Sequence, residues 1–201
     1  MPTPEYKRLD DSEVARILSE TQAIRTGHFK LTSGRHSDTY IQCARVLEHP
    51  RLTRTLAHEV VDRLPDEVRE GITLVVSPAV GGIVFGFAVA DALGVPMIFT
   101  ERVDGVMTLR RAFEIPDGAS VLIAEDVVTS GGSVDEVAEV VKANGGKTVG
   151  VVALVDRGGQ PKFHEPFYPL LRRETPSWDV DECELCKQGV SIDSPGSRNL
   201  R

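Results

Sequence analysis

Between residues 72 and 156 the chain alternates short apolar, β-branched runs with stretches of helical period, and that alternation leaves few folds open. Residues 72–76 form a β-rich run that stops at Ser77-Pro78-Ala79-Val80-Gly81-Gly82. The apolar stretch 83–93 that follows reads as a buried helix, closed by Gly94. Residues 95–100 begin a second strand. Val121-Leu122-Ile123-Ala124 is a third, and after it Val134, Val137, Ala138 and Val141 mark one stripe of a helix ending at Asn144-Gly145-Gly146. Residues 148–155 make a fourth run, ending at Asp156-Arg157. Strands alternating with helices predict an α/β fold, a central parallel sheet flanked by helices on both faces. Ligands of such sheets bind beyond the carboxyl ends of the strands, so Ser77-Pro78, Glu125-Asp126 and Asp156-Arg157 are expected at one rim.

The flanks are less regular. Val14, Ile17 and Leu18 recur at helical spacing, and Leu52, Leu56, Val60 and Leu64 repeat every fourth residue between Pro50 and Pro65, which predicts two amphipathic helices around the segment 28–46. Residues 101–118 carry Arg102, Arg110 and Arg111 without a sustained period and read as a loop or short hairpin. Beyond residue 158, Pro161, Pro166, Pro169, Pro176 and Pro195 interrupt any pattern, so an irregular extension is expected. At 201 residues the chain is expected to be one domain, with a core over about 68–157 and a small hood from about 10–46 plus the tail 158–201.

The formal net charge of −7 argues against a nucleic-acid partner held by a basic surface. No run is long and apolar enough to span a bilayer, and Met1-Pro2-Thr3-Pro4-Glu5 lacks a basic and then hydrophobic leader, so the expectation is a cytoplasmic protein with no membrane partner. Three cysteines, an odd number, do not suggest a disulfide framework. Cys183-Glu184-Leu185-Cys186 has the spacing of half a zinc site, which only Cys43 or scattered histidines could complete. His28, His49, His58 and His164 show no spacing that makes a site of them. Gly145-Gly146-Lys147-Thr148 imitates the end of a P-loop, but position 141 is Val and a strand follows. No GxGxxG follows a strand, which removes the main support for a dinucleotide enzyme.

The chemistry concentrates after the third strand. Thr129-Ser130-Gly131-Gly132-Ser133 places hydroxyls and backbone N–H groups at a helix start, where unpaired donors and the peptide dipoles favour an anion. Ser133-Val134-Asp135-Glu136 also fits a capping box, which would leave Thr129, Ser130 and the glycines free. Glu125 and Asp126 would repel a phosphate, so they make sense as acceptors for sugar hydroxyls or as groups facing a divalent metal. A phosphorylated ribose offers both. A second Gly-rich turn at the same rim, residues 77–82, could hold a further anionic group.

The string from Val121 through Glu125-Asp126-Val127-Val128 to Ser133 resembles the phosphoribosyl-diphosphate signature of the type I phosphoribosyltransferases. Phe29-Lys30-Leu31-Thr32-Ser33-Gly34-Arg35-His36-Ser37-Asp38-Thr39-Tyr40 and Val155-Asp156-Arg157 are similar to segments of the orotate-specific members, and Pro195-Gly196-Ser197-Arg198 to one subgroup of them. The resemblance implies the family's fold and transfer of phosphoribose from phosphoribosyl diphosphate to orotate, with Mg²⁺ bound mainly through the substrate. It implies catalytic roles for Glu125, Asp126 and Arg102. Phosphoribosyl-diphosphate contacts would come from Arg102, from 125–133 (Glu125, Asp126, Val127, Val128, Thr129, Ser130, Gly131, Gly132, Ser133) and from Ala79, Val80, Gly81 and Gly82. Orotate contacts would come from Thr129, Arg157 and His36. A homodimer with shared active sites is implied, with residues 101–111 as a closing lid. The family's lid usually carries lysines and a histidine; here only Arg102 matches, and Arg110 and Arg111 are the nearest substitutes. His36 stands where many relatives have lysine, and Gly81 likewise replaces a lysine. A purine-salvage transferase and a non-catalytic sensor of phosphoribosyl diphosphate are the alternatives. The Ser33–Ser37 segment and Arg157 count against the first, and the acidic chain without a DNA-binding helix pair against the second.

Overall fold

A computed structural model describes residues 6, 8–161 and 163–195; Met1–Glu5 and Gly196-Ser197-Arg198 of the motifs above lie outside the described residues. In chain order the elements are α1 (Asp11–Glu20), β1 (Ile24–Lys30), β2 (His36–Ile41), α2 (Ala44–Leu47), α3 (Pro50–Asp62), α4 (Asp66–Arg69), β3 (Leu74–Pro78) and α5 (Gly81–Leu93). Then come β4 (Met97–Val103), β5 (Val106–Leu109), β6 (Ser120–Val128), α6 (Gly132–Ala143), β7 (Lys147–Asp156), β8 (Phe167–Arg172), a 3₁₀ turn (Val180–Glu182) and α7 (Glu184–Lys187).

The main sheet has six strands in the order β5-β4-β3-β6-β7-β8, all parallel except β5, which pairs antiparallel with β4 at one edge. β6 is buried on both faces, which is why its sequence does not alternate. Leu122 and Ala124 pack with Val14, Leu56, Val60 and Phe85 of the helices α1, α3 and α5. Val121 and Ile123 pack on the other side with Val134, Val137 and Val141 of α6.

Two sequence expectations change and one is met. The tail is not wholly irregular: β8 extends the sheet beside β7, with Leu170 and Leu171 buried. β8 is an edge strand, and an edge tolerates Pro169 because a missing N–H there costs no ladder bond to a further strand. Residues 101–111, read as a loop or short hairpin, are chiefly the β4–β5 hairpin, turned by Asp104 (φ 51°) and Gly105 (φ 85°), a pair suited to a two-residue turn. The helix α5 is not buried all round, since Val84 and Phe87 are exposed, as is Val80 just before it.

β1 and β2 form a separate two-stranded sheet over the rim. The tail fastens to both strands. Lys30 N–H donates to Asp193 O (2.9 Å), Asp193 N–H to His28 O (2.8 Å), and His36 and Trp178 exchange backbone bonds of 2.8 Å.

Candidate active site

β6 carries its hydrophobic run to the rim and then presents the acidic pair. Glu125 is buried and Asp126 half-buried. Each finds a backbone amide: Asp126 N–H donates to Glu125 Oε1 (3.1 Å) and Val127 N–H to Asp126 Oδ1 (2.9 Å). Burial, and then the Asp126 charge and hydrogen bond, push the Glu125 carboxyl up to about 9, while the Asp126 amide and then Arg102 act in the opposite direction. The start of α5 lies against this pair because its first two residues, Gly81 and Gly82, lack side chains. A β-carbon on Gly81 would stand 2.8 Å from Asp126 Oδ1, and one on Gly82 3.0 Å from Glu125 Oε1.

Beyond Val128 the loop opens a cavity of about 290 Å³ lined by Arg102, Glu125, residues 127–134 and Glu136. Gly131 takes a left-handed conformation (φ 81°) as N-cap of α6 and makes no side-chain cap bond. The expected capping box is therefore not formed. Glu136 is drawn instead to Arg102, whose Nη2 donates to Glu136 Oε2 at 2.6 Å and Nε at 3.1 Å. The first amides of α6 are left without a side-chain acceptor, facing a cavity edged by one arginine.

A second cavity, of about 560 Å³, lies between the β1–β2 hairpin, the end of β7 and the tail, with Lys30, Ser33, Tyr40, Arg157, Thr175 and Ser177 among its walls. Thr129 lines both cavities. Arg157 is held from two sides: its N–H donates to Val128 O (2.9 Å) and its Nε to Thr175 Oγ1 (3.2 Å). Burial lowers its pKa. The sequence named Lys30 and Tyr40 only within the 29–40 segment and Glu136 only as a capping residue, and it did not name Thr175. Only the fold brings them to the rim.

Two groups of expected residues are placed elsewhere. Arg110 and Arg111 face Glu101, at 3.9 and 3.1 Å, and Arg111 stacks over Phe99, so both are engaged on their own hairpin. His36, expected to meet orotate, is buried and does not line the second cavity. Its Nδ1 lies 3.1 Å from His28 Nε2 and 3.2 Å from Cys186 Sγ. The ring is instead taken up by His28 and the tail thiol at the start of β2. Cys183 and Cys186 join that histidine pair. Cys43, the other thiol weighed as a ligand, is buried apart from them, against Asp126 O (3.6 Å).

The phosphoribosyl transferase domain family matches residues 43–184, more than half of the chain. The orotate phosphoribosyltransferase of Heliobacterium modesticaldum is 47% identical over 194 residues, covering 94% of this chain and 100% of that protein. That of Chlorobaculum parvum is 46% identical over 192 residues, covering 95% and 98%. Among solved structures, orotate phosphoribosyltransferase from Aeropyrum pernix superposes with a TM-score of 0.68 at 23% identity, over 79% of this chain and 93% of that one, a likeness of fold.

Proposed function

This chain belongs to the phosphoribosyltransferase family, among the orotate phosphoribosyltransferases, and from that premise we propose how its residues divide the work. It transfers the 5-phosphoribosyl group from phosphoribosyl diphosphate to orotate, releasing diphosphate and forming orotidine 5′-monophosphate for pyrimidine synthesis. The observation that carries the division is Thr129, shared between a cavity edged by free helix amides and one with Lys30 and Arg157 in its walls.

The 5-phosphate belongs in the first cavity, against the 129–133 amides and Arg102. Glu125 and Asp126 take the ribose hydroxyls, and the glycine turn 81–82 leaves room beside them for diphosphate. Orotate belongs in the second cavity, where Arg157 and Lys30 match its carboxylate and Thr129 orients the ring towards the anomeric carbon. As the diphosphate bond breaks, positive charge grows on that carbon, and the nearby carboxylates stabilise it. Mg²⁺ fits this donor set: Glu125 and Asp126 offer hard oxygens that form no ion pair among the described residues. Held mainly by the substrate's own oxygens, the ion would supply charge neutralisation for the diphosphate.

The working unit is a homodimer. Val80, Val84 and Phe87 recur at three- and four-residue spacing and turn outward, an apolar stripe of the kind that a partner covers. The cytoplasm suits three free cysteines, and no helix among the described residues is long and apolar enough to cross a membrane. The net charge of −7 speaks against a nucleic-acid partner. Incubation with phosphoribosyl diphosphate, Mg²⁺ and, separately, orotate, uracil, adenine, guanine and hypoxanthine tests the reading. Consumption of orotate alone supports it, and turnover of a purine or of no base overturns it.

A further inference from the structure

The tail motif Cys183-Glu184-Leu185-Cys186 is used by none of the chemistry above, yet the fold completes it. We infer that His28, His36, Cys183 and Cys186 form a tetrahedral site for Zn²⁺ that fastens the hairpin to the tail. The four ligand atoms all lie within 4.8 Å of one another. His28 Nε2 stands 3.1 Å from His36 Nδ1, 3.4 Å from Cys183 Sγ and 3.7 Å from Cys186 Sγ, and His36 Nδ1 is 3.2 Å from Cys186 Sγ. Zinc bonds of ordinary length in a tetrahedron put nitrogen and sulfur ligands roughly 3.3–3.8 Å apart, so the cluster needs only small adjustments to close on an ion.

The surroundings also suit a metal. The other ring nitrogen of His28, Nδ1, lies 2.8 Å from Val190 O, a carbonyl that accepts its proton and leaves Nε2 bare to ligate. His28, His36 and Cys183 are buried while Cys186 is exposed, which gives an ion a way in. Without a metal, two imidazoles and two thiols in this crevice have mainly one another as partners.

The site joins segments about 150 residues apart, and they are the segments that wall the second cavity. Lys30 and Ser33 lie between the two histidines, and Thr175 and Ser177 shortly precede the cysteines. Zinc thus sets the spacing of that wall without touching the substrate, as positioning and not as catalysis.

Metal analysis of the wild-type protein, purified under reducing conditions without chelator, tests this directly. The expected content is about one zinc per chain, falling below about a tenth in the Cys183→Ser/Cys186→Ser double variant. Should that variant not fold, Co²⁺ exchanged into the wild type is expected to give the strong visible bands of tetrahedral cobalt with thiolate ligands. Wild-type protein without zinc and without the cobalt bands, a Cys183–Cys186 disulfide in the reduced preparation, or full zinc content in the double variant would each overturn the site. None of these readouts depends on which base the second cavity takes.

Discussion

The phosphate loop and the Cys/His cluster are both compact groups of polar side chains, but they are built in opposite ways. Glu125, Asp126 and Thr129–Ser133 come from one continuous strand, turn and helix, so their geometry is set by local backbone and by close glycine contacts. His28, His36, Cys183 and Cys186 come from the two ends of the chain and meet only because the tail pairs with the hairpin. The first arrangement is local and tightly packed, as suits the reacting site proposed for it. The second is assembled by topology, as suits a fastening. Damage to the first should therefore cost turnover more than stability, and damage to the second stability more than phosphate recognition.

Among variants expected to lower turnover and stability together, the largest effect falls on Gly131. Its φ of 81° disfavours any side chain, and a β-carbon there would lie 2.6 Å from Phe163 Cδ1. Gly131→Ala is expected to lower turnover about 10²-fold by shifting the loop amides, with a stability loss of about 1–2 kcal/mol. Kinetics and urea unfolding of one preparation check both numbers; equal turnover would mean that the loop does not hold the reacting phosphate.

Glu125→Gln comes next and separates function from stability. The folded chain holds a proton on Glu125 up to about 9, whereas the ordinary carboxyl value is 4.5. A raised value makes this group's contribution fully favourable below about 4.5 and progressively lost as pH rises towards 9. The variant escapes that loss. Calorimetry of the ligand-free protein should therefore show a melting temperature above wild type at pH 8, by roughly 3 °C for each kcal/mol relieved, and a gap that closes towards pH 5. A gap independent of pH would place the cost elsewhere. The smallest effect is expected in the seam of the assembled region. Arg35 binds Asp179 (2.8 Å) and Ser177 O (2.6 Å) across it, but Asp179 is exposed, so Arg35→Ala should cost about 1 kcal/mol in urea unfolding. A loss of several kcal/mol would make the ion pair, and not the Cys/His cluster, the main clasp.

The same contrast explains what the sequence made legible. Val121-Leu122-Ile123-Ala124 followed by Glu125-Asp126 announced a buried strand ending in a site because strand, turn and helix are neighbours in the chain. β8 stayed hidden behind Pro169, which only an edge position permits. The apolar helix 83–93 looked buried because one of its faces meets the sheet and another, with Val84 and Phe87, is left outside; periodicity does not tell a core from an interface. Cys183 and Cys186 gave half a pattern, and nothing in the spacing of His28 and His36 could supply the rest. His36 was assigned to the base from a motif position, and its ring is held instead by His28 and Cys186, a partner that only the folded tail brings to it.

Turnover of orotate by Asp126→Asn, measured beside its melting temperature, tests the acidic pair most directly. Asparagine keeps the shape and the contact with Val127 N–H while removing the charge proposed to face the anomeric carbon. The expected result is a fall of about 10²–10³-fold in kcat with the melting temperature essentially unchanged. Wild-type turnover in a folded variant would contradict the role of Asp126, and with it the placement of the reaction at the end of β6.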